Sequence, residues 1–103
     1  MIKLIFTAGR ETFTITIDKK EIWYKDRKWE EPIRCIPKPV DFIMKVRMSR
    51  NKISKQILEF FDLTKAEQEE YDKATTDKRL ADLVIRDAQL KGCRLLKREN
   101  GSN

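Results

Sequence analysis

Lys45 to Lys55 reads KVRMSRNKISK, with Lys or Arg at five of its eleven positions and no acid among them. Lys45, Arg47, Arg50, Lys52 and Lys55 are suited to one kind of chemistry, contact with phosphate oxygens. Such contacts hold a nucleic acid in place without reading its sequence. Arg50 and Lys52 fall where a helix should begin. There the free backbone N–H groups attract anions and disfavour cations, so two bases in that place suit a bound anion. The plainer reading is an exposed sheet face kept in solution by lysines.

A second constellation is IWYKDRKW, where Trp23, Tyr24 and Trp29 are interleaved with Lys25, Arg27 and Lys28. Aromatic rings on a sheet with bases around them stack on unpaired nucleobases, and aromatic hairpins also anchor protein partners. In an extended segment Ile22 and Tyr24 share one face, and Trp23 takes the other with Lys25. One aromatic is therefore expected to be exposed or covered by a partner. KGCRLLKR near the end adds Lys91, Arg94, Lys97 and Arg98 in a further acid-free stretch.

Catalytic apparatus is hard to assemble from what remains. The chain has no His, which removes His-based general-base and nucleophilic triads and histidine metal sites. Cys35 and Cys93 cannot supply the four ligands of a structural zinc. No Gly-rich phosphate loop and no calcium-loop pattern are present. Asp18-Lys19-Lys20 and Asp26-Arg27-Lys28 each carry a D-x-K fragment of the kind found in metal-dependent nucleases. In so charged a chain, turn chemistry accounts for both. The pairs Glu30-Glu31 and Glu69-Glu70 project apart and read as solvated charge. No catalytic residue, metal site or cofactor is expected.

The elements that must position these residues follow from periodicity. Ile2, Leu4, Phe6 and Ala8 alternate. After a turn at Gly9-Arg10, Phe13, Ile15 and Ile17 alternate with Thr12, Thr14 and Thr16. A turn at Asp18-Lys19-Lys20 precedes a strand from Ile22 to Lys25, a further turn at Asp26-Arg27-Lys28 and a weaker strand from Ile33 to Ile36. Pro37-Lys38-Pro39 closes that section. Val40, Phe42, Met44, Val46 and Met48 define one more strand by period two. A helix capped by Ser49 or Asn51 then carries Ile53, Ile57, Leu58, Phe60 and Phe61. The capping box Thr64–Glu67 starts a second helix, running to about Ala74. Thr76-Asp77 starts a third, with Leu80, Leu83, Val84 and Ala88 as its apolar stripe, Lys91 in its last turn and Gly92 just beyond. CRLLK is compatible with a short strand.

A chain of 103 residues holds one core. The expected fold is a single α+β domain: an N-terminal antiparallel β-meander plus one further strand over 1–48, three short helices over 49–92, and a frayed tail over 99–103. Net charge is +6, distributed as basic, acidic and basic along the chain. The acidic helical section from Glu59 to Asp82 would repel nucleic acid, so the molecule should have a positive and a negative side. No signal-like or membrane-spanning run is present, and two cysteines make no secreted scaffold, so a soluble cytoplasmic protein is expected.

The order strand, helix, helix over 40–75 loosely resembles the ribbon-helix-helix DNA-binding proteins. That resemblance implies pairing of the strand with a second subunit and makes Lys45 and Arg47 its groove-facing positions. The Gly-containing turn typical between that family's helices is absent, since FDLTK stands there, and the β-rich segment in front departs from the family pattern.

The residues thus point to a non-catalytic regulatory protein contacting nucleic acid, DNA or RNA, through Lys45, Arg47, Arg50, Lys52 and Lys55. No membrane partner is expected, and a homodimer is compatible. The alternative is a protein-interaction module, such as a small viral or accessory factor docking on a larger assembly through Trp23, Tyr24 and Trp29.

Overall fold

The computed structural model describes residues 1–27, 32–36 and 63–101. The strand expected over 40–48, the helix expected after Ser49, and Lys45, Arg47, Arg50, Lys52, Lys55 and Trp29 lie outside the described residues.

Alternation builds the first three strands: β1 (Ile2–Ala8), β2 (Glu11–Asp18) and β3 (Glu21–Asp26). Every second side chain is buried, from Ile2 to Ala8, from Phe13 to Ile17, and at Ile22 and Tyr24. The β1–β2 link is a two-residue turn in which Gly9 has φ +64°. That backbone suits Gly at the first central position of a tight hairpin. The β2–β3 turn is more costly, because Lys19 and Lys20 both sit at positive φ, +50° and +65°. The Lys20 N–H donates to Asp77 Oδ1 at 2.8 Å, tying this turn to the start of a helix.

β4 (Ile33–Ile36) pairs with β3, and β5 (Arg94–Asn100) pairs with β1, giving the antiparallel order β4-β3-β2-β1-β5. The last strand corrects the sequence expectation. Instead of fraying, Glu99 and Asn100 pair with Lys3 and Ile2, and the Gly101 N–H reaches the Met1 carbonyl at 2.6 Å. The open edge of β1 supplies the backbone partners that keep this end ordered.

Two helices are described. α1 (Lys65–Lys73) starts with the capping box: the Glu67 N–H donates to Thr64 Oγ1, and the Thr64 N–H donates to Glu67 Oε1, both at 3.1 Å. α2 (Asp77–Leu90) is capped by Thr76. It ends with Lys91 as C-cap, not in the last turn as expected, and with Gly92 at φ +87°. The Cys93 N–H donates to the Ala88 carbonyl at 2.9 Å and the Gly92 N–H to the Gln89 carbonyl at 3.1 Å, the paired bonds of a Schellman end.

α2 buries Leu80, Ala81, Leu83, Val84, Asp87 and Ala88, a helical stripe. The stripe lies on the alternating face of the sheet, whose Phe6 and Phe13 rings stack at 5.4 Å with Tyr24 tilted beside Phe13. The described fold is α+β with one core, and among the described residues no helix is long and apolar enough to cross a membrane.

Candidate nucleic-acid interface

With α2 on one face of the sheet, the register fixes what the opposite face displays. Position by position, Trp23 of β3 is flanked by Thr16 of β2 and by the Arg34 position of β4. Thr16 pairs with Lys3, and Lys3 with Glu99. The next row along the strands runs Lys25, Thr14, Ile5, Lys97, and the one after it Thr12, Thr7, Arg94. On β1, β2 and β3 these are the residues between the buried ones, so period two assigns them to this face. On β5 it is the register that sets Arg94, Lys97 and Glu99 beside Thr7, Ile5 and Lys3, with a bulge at Ile5/Phe6 bringing Arg94 and Lys97 to the same side.

The face is electrically uneven. Its end near the Lys19-Lys20 turn is mixed. Asp18 lies there 4.0 Å from the Met1 amino group, with Glu21 beside it, and Lys97 Nζ stands 3.0 Å from Glu99 Oε1. The hydrogen bond from Lys97 holds the Glu99 carboxyl below its ordinary range, aided by the charge of Lys3. Beyond Trp23 the two rows contain Lys25, Arg94 and Lys97, the last of them paired with Glu99 of the preceding row, and no acid of their own. At their far end an open cleft of about 210 Å³ is lined, among the described residues, by Arg10, Glu11, Thr12, Asp26 and Arg27. Its lining carries two arginines, one from the β1–β2 turn and one following β3, and two carboxylates, Glu11 and Asp26.

Trp23 itself is partly exposed, and Lys25 is exposed. Among the described residues, helical packing falls on the opposite face. Tyr24 is a correction. Read with Trp23 and Trp29 as partner-binding, it has no solvent exposure, and its hydroxyl donates to Asp26 Oδ2. Alternation from Ile22 places it inward, where its ring fills the sheet–helix core.

Arg94 and Lys97 reach this face because β5 joins β1, a long-range pairing that composition does not reveal. Arg98 goes to the other side, where its Nη1 donates to Asp82 Oδ1 at 3.2 Å. The D-x-K fragment at Asp18 is a hairpin turn and that at Asp26 ends β3, and among the described residues no three Cys, Asp or Glu are grouped to hold a metal ion. Cys93 is a buried free thiol, pushed upward in pKa by that burial.

A polar network on the helical side escaped the sequence reading. Asp87 is only 1% exposed, yet it occupies the apolar stripe of α2. It accepts from the Tyr71 hydroxyl at 2.7 Å and from Arg86 Nε at 2.9 Å, while Arg86 Nη1 donates to Glu70 at 2.8 Å. Burial, reinforced by the bond to Asp87, pushes the Tyr71 phenol well above its ordinary value, and the bond from Arg86 lowers the Glu70 carboxyl. The network joins α1 to α2. An aspartate seven residues after Leu80, on the same stripe, is the signal that could have revealed it.

Comparison with protein-family models, with curated proteins and with solved structures gives no match.

Proposed function

We propose that the protein is a non-catalytic, regulatory nucleic-acid-binding protein of the cytoplasm. The observation that supports this reading is the acid-free half of the outer sheet face. Lys25 and Arg94 lie there around threonines, with Lys97 between them paired to Glu99, a cleft lined by Arg10, Arg27, Glu11 and Asp26 at its end, and a partly exposed Trp23 at its border. Threonine hydroxyls and cationic side chains are the donors that phosphate and sugar oxygens require. Lys45, Arg47, Arg50, Lys52 and Lys55, which periodicity assigns to a strand-to-helix junction, extend the same phosphate contacts in this reading. The acidic helix α1, with Glu67, Glu69, Glu70 and Asp72, belongs to the side turned away from the ligand.

Fluorescence anisotropy with labelled duplex DNA, single-stranded DNA and RNA at two salt concentrations tests the reading. Binding should weaken steeply with salt, in proportion to the phosphates neutralised. Replacing Lys25 and Arg94 with Ala in one variant, and Lys45, Arg47 and Arg50 in another, should each lower affinity and flatten the salt dependence. Absence of binding to every form at low salt defeats the proposal and shifts attention to protein partners of the Trp23 hairpin.

A further inference from the structure

We infer that the occupant of the outer sheet face is a single strand of nucleic acid, one of whose bases stacks on Trp23. This rests on the nucleic-acid reading above and narrows it to a ligand class and a site. Three features carry it.

The first is the place of Trp23. It lies within the sheet, with β4 on one side and β2 on the other, and its neighbours across the strands are Thr16 and the Arg34 position. A ring held among strands presents a fixed flat surface. A base reaches such a surface only when it has left its own stack, which a duplex resists and a single strand permits.

The second is the shape of the charged ground beside it. From Lys25 across β2 and β1 to Lys97 there are three inter-strand steps, roughly 14 Å, and Arg94 stands about 7 Å further along the sheet. That is a broad, shallow surface. A duplex groove accepts a helix or a narrow two-stranded ribbon, which is not what this face offers. An extended single strand can cross it, setting phosphates against Lys25 and Arg94, with Lys97 between them already paired to Glu99, while the threonines offer hydroxyls to sugar and phosphate oxygens.

The third is the direction in which charge accumulates. The acids of this face, Asp18, Glu21 and Glu99, all lie toward the Lys19-Lys20 turn, and the bases Lys25 and Arg94 lie the other way, before the 210 Å³ cleft, whose lining holds Arg10 and Arg27 together with Glu11 and Asp26. A polyanion stacked at Trp23 is thereby directed over Lys25 and Arg94, away from the acids. Trp23 marks the boundary of the path.

The test compares an oligonucleotide of about 15 residues, within the usual site sizes of such surfaces, as single-stranded thymidylate and as duplex. The full chain is used, with Trp23→Leu, Trp23→Phe and the double Lys25→Ala/Arg94→Ala variant, and circular dichroism confirms folding. The single strand should bind more tightly than the duplex. Trp23→Leu should weaken single-strand binding about 5- to 100-fold, several-fold more than it weakens duplex binding, and Trp23→Phe should keep most of the affinity. Should Trp23→Leu fail to fold, a Trp29→Phe background leaves Trp23 as the emitting tryptophan, and saturating single strand should quench it.

Equal binding of both forms with no effect of Trp23→Leu, but a loss in the Lys25/Arg94 variant, overturns the inference and leaves the broader function standing. Preference for the single strand without an effect or quenching at Trp23 overturns the assignment of the stacking residue. No binding of any form at low salt overturns both.

Discussion

Asp87 shows most clearly how one residue constrains the helical side of the molecule. A carboxylate removed from water needs charge-assisted partners, and Tyr71 and Arg86 provide them. Tyr71→Phe removes one donor and keeps the ring, so the expected loss is about 1.5–3 kcal/mol, read as a lower urea midpoint at unchanged slope. The double variant Tyr71→Phe/Asp87→Leu should lose less than the sum of its single changes, because neither partner is then left unpaired. The same residues set a pH response. Burial raises the Tyr71 phenol and the Cys93 thiol above their ordinary values, 10.0 and 9.0. The unfolded chain therefore releases these protons first. Their contribution is complete below pH 9 and declines as pH rises beyond each ordinary value, so urea midpoints should fall from about pH 9 upward. Tyr71→Phe should remove the phenol's share of that fall. Glu70 and Glu99, lowered by Arg86 and Lys97, act in the opposite direction. Their support is present above the ordinary carboxylate value of 4.5 and fades as acid protonates them.

Among the elements, the β2–β3 turn departs furthest from local preference. Lys at two successive positive-φ positions is disfavoured by Cβ–carbonyl crowding, by roughly 1–2 kcal/mol per residue. The Asn-Gly pair adopts this turn readily, and Gly at position 20 keeps the N–H that binds Asp77. Lys19→Asn/Lys20→Gly should therefore stabilise the protein by about 1–2 kcal/mol, raising the thermal midpoint by several degrees in a domain of this size. The turn itself was legible from Asp18-Lys19-Lys20, but its geometry was not, because lysine does not signal positive φ. Strands β1 to β3 and both described helices were legible for a simple reason: alternation, the Thr64–Glu67 box and the Thr76 cap are short-range patterns. β5 was less so. Its outcome depends on an edge of β1 87 to 98 residues earlier in the chain, and RLLKREN has no alternation to announce a buried face. The candidate site inherits that difference. Trp23 and Lys25 sharing one face followed from period two, whereas Arg94 and Lys97 beside them followed only from the sheet order.

At the scale of the whole molecule, stability is unevenly distributed. β1, β2 and β3 hold most of the fully buried side chains, and α2 lies directly on them, touching β1, β2 and β5. α1 is different, for Tyr71 is its one buried residue, and its ties to the rest include Tyr71 to Asp87 and Glu70 to Arg86. The Glu70–Arg86 pair is nearly half exposed at both ends, so it contributes little by itself. Among the described residues, the link to Asp87 is the buried polar tie between α1 and α2. Elements held by so few buried contacts open before the core does. Hydrogen exchange should accordingly show amides of 65–73 exchanging by a sub-global opening, while those of β1 and β2 exchange only with complete unfolding. Tyr71→Phe should speed exchange in 65–73 beyond what its loss of global stability imposes on β1 and β2. Equal acceleration everywhere would mean that α1 and the sheet open as one unit. The expected separation matters for binding, because it would leave the outer face of the sheet intact while its acidic helical counterpart moves. A single strand bound across Trp23, Lys25 and Arg94 should then protect the sheet amides and leave the exchange of α1 nearly unchanged.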